Sequence, residues 1–278
     1  MPLNLIYITN LPEVALIAER NGADRIMVDL ETLGKEERQK NMNTVKSHHK
    51  ISDIADISNS LSRSETLVRI NPWNETSVAE IEAVIDAGAN RIMLPMWKSI
   101  SEVKSFLETV RGRVHTMLLL ETKEAVEIID EVLEHPLLEE IHIGLNDLHL
   151  SYGLSFMFEP LANGTVENLC EKFKAKGIRY GFGGIARIGE GMLPAERIVM
   201  EHYRLGSTIV ILSRSFCNVE EIGDTNGIER VFEENMALLR EYEYSLVNKT
   251  EEELEKNKQA VKCCVTEIVS KIKERKAQ

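Results

Sequence analysis

The stretch VHTMLLLETKEAVEIIDEVLEHPLLEEIHIGLND, Val114 to Asp147, holds two short apolar runs, each closed by a carboxylate, with a helical pattern between them. Glu121 ends the first run and Asp147 the second, 26 positions later. That spacing is one strand–helix–strand step. If the two runs are neighbouring parallel strands, both acids emerge side by side at the carboxyl edge of a sheet, where a divalent metal can bridge them.

The same unit recurs on both sides of this stretch. LNLIYIT, DRIMVDL, ETLVRIN and RIMLPM precede it, and RYGFGG and STIVILSRS follow, giving eight β-rich runs in all. Runs that are nearly continuously apolar and separated by amphipathic helices indicate a parallel sheet covered on both faces. Eight such units fit a closed (β/α)8 barrel, with an open doubly wound sheet as the alternative. The helices read as LPEVALIAERNG, TSVAEIEAVIDAG, SISEVKSFLETVRG and TKEAVEIIDEVLEHP, and the second and third end on Gly just past the last turn.

Two segments break the alternation. KEERQKNMNTVKSHHKISDIADISNS fills the second connection with polar residues and reads either as an active-site lid or as a long surface helix. From about Gly227 the chain is rich in Glu, Lys and Leu at helical spacing. The expected organisation is therefore a barrel over 1–226 and a helical extension over 227–278, the latter a solvated helix pair or an oligomerisation arm.

The 278 residues, 43% of them hydrophobic, suffice for one large α/β core. A net charge of −12 argues against a nucleic-acid surface or an anionic membrane face, both of which want a basic excess. Cys170, Cys217, Cys263 and Cys264 show no metal-ligand spacing and read as reduced thiols of a cytoplasmic protein. No uncharged apolar run approaches the roughly 20 residues of a membrane span.

In a (β/α)8 barrel the site lies at the carboxyl ends of the strands, so polar residues closing the apolar runs are the ones to collect. These are Asp29 and Glu31, Arg69 and Asn71, Glu121, Asn146 and Asp147, and Ser213 and Arg214. An acid pair with one Arg suits a metal-chelated oxo acid, because Mg²⁺ takes only one or two protein carboxylates and leaves positions for substrate. Arg69 can grip a substrate carboxylate through its planar fork, or clamp the barrel mouth structurally. Each acid taken alone also fits an ion pair or a helix cap.

Taken together, these residues resemble the HpcH/HpaI aldolase and citrate lyase beta-subunit family, metal-dependent lyases of 2-oxo acids and acyl-CoA esters. The resemblance covers about residues 11 to 216. LPEVALIAERNGADRIMVDLE is similar to the first unit of the 2-oxo acid aldolases, and VRINPWN with DAGANRIMLPM to the lyase beta subunits. LLLETKEAV with GLNDLHLSYG is similar to the metal-binding Glu and Asp strands. The resemblance implies Mg²⁺ or Mn²⁺ held by Glu121 and Asp147, with Arg69 beside the developing enolate of a pyruvate-like unit. Pro95, Gly144 and Asn146 then line the substrate, with Arg69, Asp29 and Glu31 as catalytic residues. The activity implied is a carbon–carbon lyase, a class II aldolase, acting next to a 2-oxo acid in a homotrimer or homohexamer. The alternatives are an acyl-CoA lyase of the citrate lyase beta-subunit type and a non-catalytic barrel paralogue that retains the metal site.

The chain departs from that pattern in several places. Thr32 stands where the aldolases carry a His and the lyase subunits a second Asp, which leaves the proton to Asp29, Glu31, or a His48 or His49 folded over the mouth. His149 replaces a small residue and either points into the mouth or packs behind the metal site. Trp97 and Lys98 replace smaller and more acidic or amide residues. Lys98 and Lys123 both follow strand ends, but an imine route through them is disfavoured against a metal one.

Overall fold

Strands β1 Asn4–Ile8, β2 Arg25–Asp29, β3 Glu65–Arg69, β4 Arg91–Leu94, β5 His115–Leu120, β6 Glu140–Ile143, β7 Arg179–Ile185 and β8 Ile209–Leu212 are parallel and pair in sequence order. β8 returns to β1 through Leu5 and Val210, so the sheet is a closed (β/α)8 barrel, as the eight runs require. The computed structural model describes residues 2–34 and 49–277. Residues 35–48, and with them His48 and the first half of the polar connection considered as a lid, lie outside the described residues. The second half of that connection is the helix Ile51–Ser60.

Strand side chains alternate between the two faces, and this alternation sorts the barrel into layers. Outward positions such as Val28, Val68, Ile92 and Leu118 pack under the helices. The inward positions Ile6, Met27, Leu67, Met93, Met117, Leu119 and Ile209 form a separate apolar plug. One step toward the amino ends, Arg25 and Glu140 are buried as a bidentate pair at 2.7 and 3.0 Å. Glu65 also meets Arg25 at 3.0 Å, and Arg91 and Arg179 meet Glu140 at 3.3 and 2.8 Å, so the pair belongs to a charge network. One step toward the carboxyl ends, the same parity delivers Asp29, Arg69 and Glu121. A charged floor and an apolar plug thus leave the mouth as the place where polar groups converge.

β7 is the irregular strand. Its pairing with β8 shifts between Gly181 and Gly184, and a Cβ on Gly181 would stand 2.1 Å from the Ile209 carbonyl oxygen. Glycine there permits close approach of two strands. The GFGG run therefore lies within the sheet rather than in a loop after it.

Two sequence-based boundaries move. TKEAVEIIDEVLEHP, expected as one helix, is two short ones, Lys123–Glu127 and Ile129–Val132, separated at Ile128 by a backbone of φ −101°, ψ 5°. EEIHIGLND, expected as strand up to Asp147, ends its strand at Ile143, and LNDLHLS is the helix Leu145–Ser151. Gly144, at φ −80° and ψ 85°, turns the chain out of the strand.

Helix Thr225–Leu246 packs against helices Pro12–Arg20 and Ala195–Leu205. Its Phe232 meets the Tyr7 ring edge-on at 4.9 Å. The last helix, Glu251–Ala277, lays Asn257, Val261, Val265 and Ile268 as one buried stripe on its own barrel. The Asn257 amide donates to the Arg197 carbonyl at 3.0 Å and to Glu201 at 2.9 Å, anchoring the tail to Ala195–Leu205. No helix among the described residues is long and apolar enough to cross a membrane.

Candidate active site

Asp29 and Arg69 end adjacent strands at the same level of the β2–β3 ladder. Arg69 donates from Nε to Asp29 Oδ1 at 2.9 Å and from Nη2 to Oδ2 at 2.8 Å, a bidentate fork. Its Nη1 lies 3.4 Å from Glu31 Oε2, and the Glu31 backbone N–H donates to Asp29 Oδ1 at 3.2 Å. Burial alone would weaken the guanidinium's hold on its proton. The charges of Asp29 and Glu31 outweigh it and raise the Arg69 pKa. The fork expected to meet a substrate carboxylate is thus committed on its Nε–Nη2 edge to Asp29, and the Nη1 side faces the mouth acids.

Glu121 follows β5 directly and is 3% exposed. Its Oε1 accepts the Met96 backbone N–H at 3.0 Å. Met96 reaches that position with φ 54°, in the left-handed region, which costs a non-glycine residue about 1–2 kcal/mol. The strain is spent where a backbone donor must face a carboxylate. On the other side, Gly144 makes room: a Cβ there would stand 2.7 Å from Glu121 Oε2.

Asp147 does not end β6 as expected but sits in the first turn of helix Leu145–Ser151. It still faces Glu121 electrostatically. Burial, then the charges of Asp147 and Glu31, push the Glu121 carboxyl well above the usual range, against the pull of Arg69 and the Met96 N–H. A buried carboxylate forced upward by two neighbouring acids is a site that a cation would relieve.

The donor set fits Mg²⁺ or Mn²⁺. Among the described residues no group of three or more His, Cys, Asp or Glu is arranged to hold a metal, and Glu121 and Asp147 are the two carboxylates that meet here. Two hard carboxylates with space for water and substrate are what Mg²⁺ takes in sites of this kind.

The remaining candidates separate. Pro95 is buried just after β4, and Asn146 is half-buried on the same helical turn as Asp147. Asn71 anchors the loop after β2, its Oδ1 accepting the N–H groups of Thr32 and Leu33 at 2.9 and 3.1 Å. His49 does come to the mouth: its Nδ1 accepts the Asp29 backbone N–H at 2.9 Å. His149 is buried, with Nδ1 3.3 Å from the Leu145 carbonyl one turn back on its own helix. Trp97 is buried in the outer core, whereas Lys98 and Lys123 are exposed beside the mouth. Ser213 Oγ pairs with Ser215 Oγ at 2.8 Å, and Arg214 is exposed. Sequence reasoning missed Met96, because a backbone donor set by a left-handed Met leaves no residue-type signal.

The HpcH/HpaI aldolase/citrate lyase family model matches residues 6–159. An HpcH/HpaI aldolase from Desulfitobacterium hafniense DCB-2 superimposes with a TM-score of 0.61 at 17% identity, over 80% of this chain and 91% of that one. A citrate lyase beta subunit from M. tuberculosis, complexed with oxaloacetate and magnesium, gives 0.56 at 16% identity, over 83% and 97%. A tryptophan synthase from M. tuberculosis gives 0.58 at 12% identity, over 86% and 94%, so structural likeness at this level shows the barrel alone. No curated protein matches the sequence.

Proposed function

The chain belongs to the HpcH/HpaI aldolase/citrate lyase family, and from that premise we propose a metal-dependent carbon–carbon lyase that cleaves or forms the bond next to a pyruvate-like 2-oxo acid. The observation that carries this reading is the convergence of buried Glu121, Asp147 and the Asp29–Arg69–Glu31 cluster at the carboxyl ends of the strands.

Glu121 and Asp147 are the residues that would hold Mg²⁺ or Mn²⁺. When bound, the ion supplies a Lewis-acid charge that stabilises negative charge on the keto oxygen as it develops. Met96 and Gly144 fix the Glu121 carboxylate before any ligand arrives, one by donating to Oε1 and the other by leaving space at Oε2. Arg69 adds a fixed positive charge beside the reacting carbonyl, oriented by Asp29 through two hydrogen bonds.

Asp29 aims Arg69 through both of its oxygens, and Glu31 stands 3.4 Å from the guanidinium. Asp29, Glu31 and His49 are the groups proposed to manage the proton.

The test is proton exchange at the pyruvate methyl group in D2O, followed by NMR, together with turnover of oxaloacetate and 4-hydroxy-2-oxo acids. Activity that needs Mg²⁺ or Mn²⁺ and disappears with EDTA is the result this reading requires. Neither exchange nor turnover at saturating metal with any 2-oxo acid would remove it.

A further inference from the structure

We propose that the cleft beside Asp147 is the subsite for the far end of the substrate, and that Lys98 and Lys123 there receive a second anionic group, a carboxylate or a phosphate. This deepens the lyase reading and rests on it. The cleft holds about 350 Å³ and is lined by Lys98, Lys123, Met96, Leu150 and Ser151 as well as Asp147. That is toward the small end of the roughly 300–1,000 Å³ typical of small-molecule sites and suits a short acid better than a nucleotide thioester.

Lys98 comes from the loop after β4, Lys123 opens the helix after β5, and both line the cleft that Asp147 also lines. Neither ammonium group makes an ion pair with another described residue, although the chain carries 45 acids against 33 basic residues. The acid nearest in sequence to Lys98 is used elsewhere, since Glu102 Oε2 accepts the backbone N–H groups of Lys98 and Ser99 at 2.7 and 2.8 Å. The backbone of Lys123 is fixed by its N–H donating to Ser151 Oγ at 2.9 Å, on the helix that carries Asp147. The spacing between Lys123 and Asp147 is thereby set by the fold.

Two other described cations of the mouth are occupied. Arg69 is held by Asp29, and Arg187 donates from Nε to the Phe216 carbonyl at 2.9 Å and lies 3.7 Å from Glu190. Glu124 also lines the cleft and offsets one lysine. With Asp147 assigned to the metal, the two lysines outnumber Glu124, and the cleft keeps a net positive charge that they share toward the substrate. Met96 and Leu150 give the intervening carbon chain an apolar wall.

The proposal is tested with three substrates that share the 2-oxo acid head and end in a carboxylate, a phosphate or an uncharged amide. The wild-type enzyme is expected to favour one of the anionic ends by roughly tenfold in kcat/KM, expressed in KM. The preferred end separates carboxylate from phosphate. In Lys98→Gln/Lys123→Gln the anionic-to-neutral ratio should fall to near one, and Lys98→Arg/Lys123→Arg should restore it. Metal-dependent turnover without an anionic preference, or a preference that survives the double Gln variant, overturns the subsite alone. Absence of any metal-dependent turnover in the wild type overturns the lyase reading and the subsite with it.

Discussion

Gly144 leaves the space that the Glu121 carboxylate fills: a Cβ on residue 144 would stand 2.7 Å from Glu121 Oε2, 3.0 Å from its Cβ and 3.2 Å from Leu119 Cδ1. The Glu121 end could swing away, but its Cβ is fixed to the strand and Oε1 is held by Met96. Gly144→Ala should therefore displace the carboxylate, weakening Mn²⁺ binding at least ~10-fold, as loss of a supporting contact at a metal site does. Overpacking should cost about 1–3 kcal/mol of stability. Calorimetric Mn²⁺ titration checks the first, and an affinity equal to wild type would show that the space serves packing alone.

Glu121 also links metal affinity to stability. Its folded pKa is raised by burial, Asp147 and Glu31, so the metal-free fold binds this proton more tightly than the unfolded chain. Stability from that proton is present below the unfolded carboxylate pKa and is lost as pH rises through the raised value. Glu121→Gln removes the charge and keeps the oxygen that accepts from Met96. The metal-free variant should melt about 2–4 °C above the metal-free wild type at neutral pH. Added Mn²⁺ should raise the wild-type Tm and leave the variant unmoved. A variant stabilised by Mn²⁺ as strongly as the wild type would remove Glu121 from the ligand set.

The barrel was legible because parallel strands covered on both faces read as unbroken apolar runs, and Glu121 could be placed because it closes such a run. Asp147 was found for a partly wrong reason. IHIGLND reads as one strand closed by Asp147, and only the backbone at Gly144 reveals that a helix begins at Leu145. Strand parity puts Asp29 and Arg69 on the inner face, but their pairing depends on the β2–β3 register, which no local residue announces. His49, one of the two histidines expected to fold over the mouth, reaches β2 just ahead of helix Ile51–Ser60, though its bond to the Asp29 N–H is a long-range contact with no short-range signature. The tail's Glu, Lys and Leu at helical spacing read as a solvated helix pair or an oligomerisation arm, while its buried stripe of Asn257, Val261, Val265 and Ile268 is diluted by charge in composition.

Arg69 offers a sharp comparison between charge and shape. Arg69→Lys keeps the positive charge but cannot bond both Asp29 oxygens in one plane. Its kcat should fall about 10²-fold, the order seen when one preorganised donor is lost, with a modest drop in Tm. Arg69→Ala removes a cation that Asp29 and Glu31, both 2% exposed, share. That loss should cost about 3–5 kcal/mol. Steady-state kinetics with thermal melts separate the two effects. Wild-type kcat in Arg69→Lys would mean that Arg69 acts as a counter-charge only.

Glu19 should control acid stability from the opposite end of the barrel. The carboxylate, 4% exposed, accepts the backbone N–H groups of Ser62, Arg63 and Ser64 at 3.0, 2.6 and 2.7 Å and the Ser62 hydroxyl at 3.0 Å. Burial alone would raise its pKa; these four donors overcome it and lower the value to about 2. The sign is that of a depressed acid: the stabilisation is complete above the unfolded carboxylate pKa and is lost as pH falls toward 2. It amounts to about 3 kcal/mol at neutral pH. Glu19→Gln keeps one acceptor oxygen but turns an amide N–H toward donors, so it should lower the urea midpoint at pH 7 and lose less on acidification. The two unfolding curves should converge as pH approaches 2. Curves that stay parallel from neutral to acid pH would mean that the loop before β3 is held by packing and not by this carboxylate.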